Sequence, residues 1–122
     1  YRITDVSDER IKSYKHLNRL TDITNYIKEN YEGDISLESL AKLFGYSPTY
    51  LSKMFQKYAK VSYREYLQSI RLERACAELV NTNHMLGDIA INNGFANSKA
   101  FAKAFKKKND ILPSEYRKRM KQ

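Results

Sequence analysis

The feature that most constrains this chain is an internal repeat. Leu37-Glu38-Ser39-Leu40-Ala41 followed by Gly45-Tyr46 returns as Leu86-Gly87-Asp88-Ile89-Ala90 followed by Gly94-Phe95, at an offset of 49 residues. Past the glycine, Leu51, Lys53, Phe55 and Tyr66 match Phe101, Lys103, Phe105 and Tyr116 at an offset of 50. The second turn therefore holds one extra residue. Each copy reads as a short helix, a tight glycine turn and a second helix, the layout of a helix-turn-helix. Two copies in 122 residues, with only four glycines and two prolines, leave no place for strands and their turns. The expected fold is all-α, two helix-turn-helix subdomains joined by a long linker helix.

Local signals place the elements. Residues 1–16 are polar, mixed in charge and weakly periodic, and read as a linker or the tail of an absent N-terminal domain. Because the first residue is Tyr1 rather than a start methionine, the chain reads as a fragment of something longer. From Leu17 the apolar residues Leu17, Leu20, Ile23, Ile27 and Tyr31 fall at helical spacing, with Gly33 just beyond. Ser36 caps a helix over 37–44, and Ser47-Pro48 opens another that runs to about Tyr58. A longer amphipathic helix spans 62–80, and the short-helix pattern then returns over 86–92. A helix over about 98–108 follows, and Pro113 starts a last one. The predicted units are a first subdomain over 17–61, the linker helix over 62–81 and a second subdomain over 82–122.

The second helix of each copy has two opposed faces. Leu51, Met54, Phe55 and Tyr58 form an apolar i, i+3, i+4, i+7 stripe. Thr49, Ser52, Lys53 and Gln56 sit two residues earlier, about 200° around the helix, and so face away from the core. In the second copy Phe101, Ala104 and Phe105 form the stripe, and Lys99, Ala102, Lys103 and Lys106 face outward. Hydroxyls and amides reach base edges in a major groove, lysine reaches guanine or phosphate, and alanine touches a thymine methyl. Tyr50, among ten tyrosines, is the one aromatic candidate for a groove contact.

Charge is concentrated as well. Of the net +8, residues 99–121 hold nine Lys/Arg against Asp110 and Glu115, while residues 1–98 carry 13 basic and 12 acidic residues. A polyanion is the natural partner of such a patch. Lys57, Lys106, Lys107, Arg117 and Lys118 are the candidate contacts to the DNA backbone, with Lys107 and Lys108 lying about 100° and 200° around the helix from Lys106.

Other functions lack their residues. A single cysteine, Cys76, with only His16 and His84 supplies neither a disulfide framework nor a zinc set, and points to a reducing compartment. Cys76 reads as a small core residue, Arg71 as structural and His84 as an exposed loop residue. There is no phosphate-cradling glycine loop and no nucleophile paired with a base, so no enzyme activity and no cofactor are expected. Apolar runs of a few residues are too short for a transmembrane helix, and no secretory signal is seen. The expected location is cytoplasmic, at the nucleoid.

These motifs together resemble the AraC/XylS-type transcription regulators over about residues 20–119. The resemblance rests on Leu40-Ala41, Gly45-Tyr46-Ser47-Pro48, Tyr50-Leu51-Ser52 and Phe55, then on Tyr66-Leu67, Arg71-Leu72 and Ala75. It continues through Ile89-Ala90, Gly94-Phe95, Phe101, Phe105-Lys106, Pro113 and Tyr116-Arg117. It implies homeodomain-like helical repeats on a rigid linker helix, set in adjacent major grooves of promoter DNA. It also implies sequence-specific double-stranded DNA binding that regulates, usually activates, transcription, with RNA polymerase as a partner and an effector or dimerisation domain elsewhere. By resemblance, Thr49, Ser52 and Lys53 read bases from the first recognition helix, and Ser98, Lys99, Ala102 and Lys103 from the second. The family also includes a DNA-repair methyl acceptor, whose reactive cysteines in an additional N-terminal domain have no counterpart here.

Four positions depart from the family pattern. Lys60 and Asp110 replace the usual glycine after each recognition helix, Leu112 replaces a Ser/Thr cap, and Ala100 stands where an aromatic is common. Two further readings fit the same residues. One is a basic helical protein-interaction module that meets an acidic partner through 99–121, and the other is a nonspecific nucleoid-binding protein.

Overall fold

A computed structural model describes residues 3–121, with side chains from Leu17 onward and Lys15 before it. Every regular element among the described residues is helical: α1 (Ile3–Asn30), α2 (Leu37–Phe44), α3 (Pro48–Met54), α4 (Tyr63–Asn81), α5 (Leu86–Asn92), α6 (Ser98–Asn109) and α7 (Pro113–Met120). The chain forms two compact units. The first comprises α1 to Glu29 and Ile35–Tyr63; the second comprises Asn30–Asp34 and the chain from Arg64 onward.

The stretch read as a linker is helical from Ile3; residues 1 and 2 lie outside the described residues. Neither glycine nor proline occurs before Gly33, so no residue there interrupts a helix already nucleated by the packed turns downstream. The weak apolar periodicity of residues 1–16 carried no sign of this.

In the first unit, α1 buries Leu20, Ile23 and Ile27, α2 buries Leu40 and Ala41, and α3 buries Leu51 and Met54. Ser36 accepts a hydrogen bond from the Ser39 amide at 3.0 Å, and Ser47 accepts one from Tyr50 at 3.1 Å, so both short helices start on a side-chain cap. Gly45 has φ 78°, and its left-handed backbone turns α2 into α3. Beyond Met54 the helix continues as a π turn over Phe55–Ala59 and ends on Lys60. Helical spacing alone does not show this widening, which takes Lys57 and Tyr58 off the positions that an α-helix would give them. Phe55 stays fully buried, edge-on to Tyr63 at 5.7 Å.

The second unit packs Leu72, Ala75 and Leu79 of α4 against Ile89, Ala90, Phe101 and Phe105. Phe105 meets Phe101 at 5.8 Å and Tyr116 at 5.4 Å, both edge to face. Truncating either phenylalanine to alanine removes roughly 3–5 kcal/mol of stability. Asn97 matches the cap Ser47 at the offset of 50, which leaves Ala96 as the residue added in the second turn, and it caps α6 by accepting from the Ala100 amide at 2.8 Å.

The repeat also reaches further than the turn motifs. Leu20, Ile23 and Ile27 of α1 correspond to Leu72, Ala75 and Leu79 of α4 at an offset of 52, and all six are buried. Most of α4 is thus the opening helix of the second unit as well as a connector.

Lys60 and Asp110 both adopt φ 64°, the left-handed conformation that glycine takes at no steric cost. Leu112 stands at the start of α7 with no side-chain cap bond. Lys60→Gly and Leu112→Ser are each expected to raise the unfolding free energy by about 1 kcal/mol in urea titrations. Gly94→Ala is expected to lower it by more, because Gly94 has φ 90° and a Cβ there would lie 2.5 Å from Arg71 Nε.

Candidate nucleic-acid interface

The outward face of α3 is built from small and polar side chains. Thr49, Tyr50, Lys53 and Gln56 are exposed and Ser52 is partly so, while Leu51, Met54 and Phe55 face inward. In α6, Ser98, Lys99, Lys103 and Lys106 are exposed and Ala102 is partly so, against buried Phe101 and Phe105. Each unit therefore presents one polar helix face held rigid from behind by a packed one. Each of these faces starts at a helix end capped by a side chain, Ser47 or Asn97, with the positive end of the helix dipole beside it.

The candidate backbone-contacting residues divide. Lys106, Lys107 and Lys118 are exposed. Lys57 is also exposed, with its ammonium 5.3 Å from the Tyr58 ring. Arg117 is engaged within the protein: Nε donates to the Leu79 carbonyl at 3.0 Å and Nη2 to the Thr82 carbonyl at 3.3 Å. The Leu79 carbonyl lies in the last turn of α4, where carbonyls lack a partner within the helix, and Thr82 follows its end, so the guanidinium caps the helix. Lys121 donates to the Thr82 carbonyl and to Asn83 Oδ1, and Arg119 pairs with Glu115 at 3.2 Å. Much of the basic tail thus anchors α7, a role that charge counting does not separate from phosphate binding.

A polar network in the second unit went unseen in the sequence. Glu78 Oε2 lies 2.8 Å from His84 Nδ1 and accepts from Asn92 Nδ2 at 3.0 Å, and Oε1 accepts from Asn93 Nδ2 at 3.0 Å. His84 is exposed as expected, yet it is partnered. Its pairing joins residues from α4, the 82–85 loop and the end of α5, and no local spacing signals such a meeting. Cys76 packs against the core cluster. The neighbouring Cys76 side chain, first by hydrogen bonding and then electrostatically, pushes the Tyr116 pKa up, and burial adds to the effect.

Comparison with known proteins agrees with this geometry. A helix-turn-helix domain family matches residues 40–119. The chain belongs to the AraC/XylS-type helix-turn-helix family.

Among solved structures, the C-terminal domain of the two-component response regulator yesN from Fusobacterium nucleatum superposes with a TM-score of 0.79 at 34% identity. That match covers 82% of this chain and 98% of that one. The bifunctional transcriptional activator/DNA repair enzyme AdaA of Bacillus subtilis is 39% identical over 95 residues, 78% of this chain and 45% of AdaA. An uncharacterized HTH-type transcriptional regulator of Staphylococcus aureus is 33% identical over 99 residues, 81% of this chain and 13% of that protein. The chain thus spans less than half of either of these two relatives. Its all-helical architecture is that of AraC-type DNA-binding domains. Among the described residues no helix is long and apolar enough to cross a membrane.

The Glu78 network is expected to make the stability of this domain decline in acid. Burial pushes the carboxyl's pKa up, but the bonds from His84, Asn92 and Asn93, with the charge of His84, outweigh it and hold the pKa below the usual carboxylate value. A depressed folded-state pKa contributes stability that is complete above the unfolded value and lost as pH falls through the folded one. Stability measured by urea titration should therefore decline as pH drops below the ordinary carboxylate range. Glu78→Gln should be less stable at neutral pH and show a shallower acid decline.

Proposed function

We propose that this chain is the DNA-binding part of a longer transcription regulator, and that it reads a specific double-stranded promoter sequence through α3 and α6. The observation that carries this reading is the pairing, in both repeats, of a polar exposed helix face with a fully buried one behind the same helix. In this reading Thr49, Tyr50, Ser52 and Lys53 face bases from α3, Gln56 from the π turn that follows it, and Ser98, Lys99, Ala102 and Lys103 from α6. Lys57, Lys106, Lys107 and Lys118 meet phosphates, and Arg117 contributes by holding α7 to the end of α4. RNA polymerase is the proposed protein partner, activation the proposed outcome, the cytoplasm the proposed location, and a further domain supplies effector response or dimerisation.

The physical division of labour is simple. Phosphate contacts position the protein and release counterions whatever the sequence, and base-edge contacts discriminate. A protein-interaction module with a basic face would show neither salt-linked DNA affinity nor base preference, and a nonspecific nucleoid binder would show only the first.

Fluorescence anisotropy with labelled duplexes tests this, after a preferred site has been selected from random sequence. Lys53→Ala should cost roughly 1–3 kcal/mol on the preferred site and relax preference at one or two base pairs. Lys107→Ala should weaken every duplex alike. The logarithm of affinity should fall with the logarithm of salt concentration at a slope near −5, for about six neutralised phosphates. If Lys53→Ala lowers specific and random binding equally, its base-reading role is wrong.

A further inference from the structure

An array of aromatic rings, partly exposed at Phe44 and Tyr46 and exposed at Tyr50, lies with one exposed guanidinium against the turn of the first helix-turn-helix, and nothing in the helix-turn-helix pattern calls for it. Arg19 of α1 donates from Nη2 to the Phe44 carbonyl at 2.7 Å and from Nε to the Tyr46 hydroxyl at 3.3 Å. Its guanidinium carbon lies 5.7 Å from the Phe44 ring centre and 5.5 Å from that of Tyr46. Tyr46 in turn lies 5.2 Å from Tyr50, the exposed aromatic in the first turn of α3. A planar cation held by two hydrogen bonds and two ring faces has few ways to move. Tyr46 is thus the ring that links this contact to Tyr50.

We propose that Arg19, which lies outside the helix-turn-helix, is a positioning residue for base discrimination: it fixes Tyr46 and through it the Tyr50 ring at the edge of the α3 reading face. This rests on the reading of α3 as a base-contacting helix. The second repeat shows that the array is not a requirement of the fold. The residue equivalent to Arg19 at the offset of 52 is Arg71, which donates to the Tyr31 and Gly33 carbonyls at 2.7 Å each. Tyr46 is matched there by Phe95, which has no hydroxyl, and Tyr50 by Ala100, which has no ring. The second unit packs its turn without any such array, so the first unit's version supplies something besides packing.

The test uses the full chain with a panel of duplexes, each carrying one base-pair change from the selected site. Tyr50→Ala marks the base pairs that its ring influences. Arg19→Lys keeps the charge but loses the paired donors and the flat stacking surface, and is expected to flatten preference at those same base pairs by about fivefold or more. Preference at the remaining base pairs should stay within about twofold, and Arg19→Ala should leave the salt slope unchanged. Tyr46→Ala should reproduce the pattern, and keeps the test open if Arg19→Ala fails to fold.

Several results would overturn the proposal. Uniform weakening with a slope shallower by about 0.9 in Arg19→Ala would make Arg19 a phosphate contact instead. A lowered melting temperature with unchanged preference would leave it a packing residue only. No effect of Tyr50→Ala on any base pair would remove the ring it is said to position. Lys53→Ala separates the two levels: if it shifts preference while Arg19→Lys does not, the proposal fails and the reading of α3 stands. If neither shifts it, both fall.

Discussion

Asn93 sits at the end of α5, 2% exposed, and a buried amide is costly unless all its polar atoms are paired. The second unit meets that demand with three separate segments. Asn93 Nδ2 donates to Glu78 of α4 at 3.0 Å and to the Ile89 carbonyl of α5 at 2.8 Å, and its Oδ1 accepts from the Tyr31 hydroxyl at 3.2 Å. Beside it Arg71 holds the carbonyls of Tyr31 and Gly33, and Gly94 is bare because a Cβ would meet Arg71 Nε and the Tyr31 carbonyl. The turn of the second helix-turn-helix is therefore fixed by α4 and by residues 31–33 as well as by its own sequence. Loss of any one partner leaves a buried polar group unsatisfied, which costs more than the bond contributes when made. The Tyr31 pKa is pushed up here chiefly by burial, with Glu32 next, so the hydroxyl keeps its proton and remains a donor.

What was legible in the sequence follows from this. Periodicity and caps are local, and they located α2, α5 and the starts of α3, α6 and α7 from Ser36, Ser47-Pro48, Gly45, Gly94 and Pro113. The polar faces of α3 and α6 also came from spacing alone. Their exposure agrees with it, since a two-residue step on a helix reverses the side that faces the core. Partners brought together by tertiary packing were not legible. Arg117 has the composition of a phosphate contact, and only the position of the α4 carbonyls shows that it caps a helix. The His84 pairing, the Arg19 array and the π turn at Phe55 depend in the same way on packing that a one-dimensional pattern does not contain. The kinship of α1 and α4 was hidden for a different reason: it survives in three buried positions and one arginine, at an offset unlike that of the turns.

The polar faces of α3 and α6 are chemically unequal, and that bears on the function proposed for them. The α3 face offers hydroxyls, an amide, an aromatic ring and one lysine, whereas α6 carries Lys99, Lys103, Lys106, Lys107 and Lys108 within ten residues. Lysine charges attract phosphate over a Debye length of about 8 Å at physiological ionic strength, before any base edge is in reach. Short neutral groups act only in contact, where a wrong base leaves a donor or acceptor unpaired. On the proposed reading, α6 would add more of the long-range attraction to phosphate, and α3 more of the contact discrimination between bases. Rigidity is worth most on the discriminating side. A lysine on a flexible stem tolerates an error of an ångström against a phosphate, whereas hydroxyls and a ring edge against a base pair do not. Both turns are held by an arginine of the preceding helix, but Arg71 directs its donors to the carbonyls of Tyr31 and Gly33, whereas Arg19 reaches Tyr46 beside Tyr50. On the reading proposed above, that is the side where tolerance is smaller.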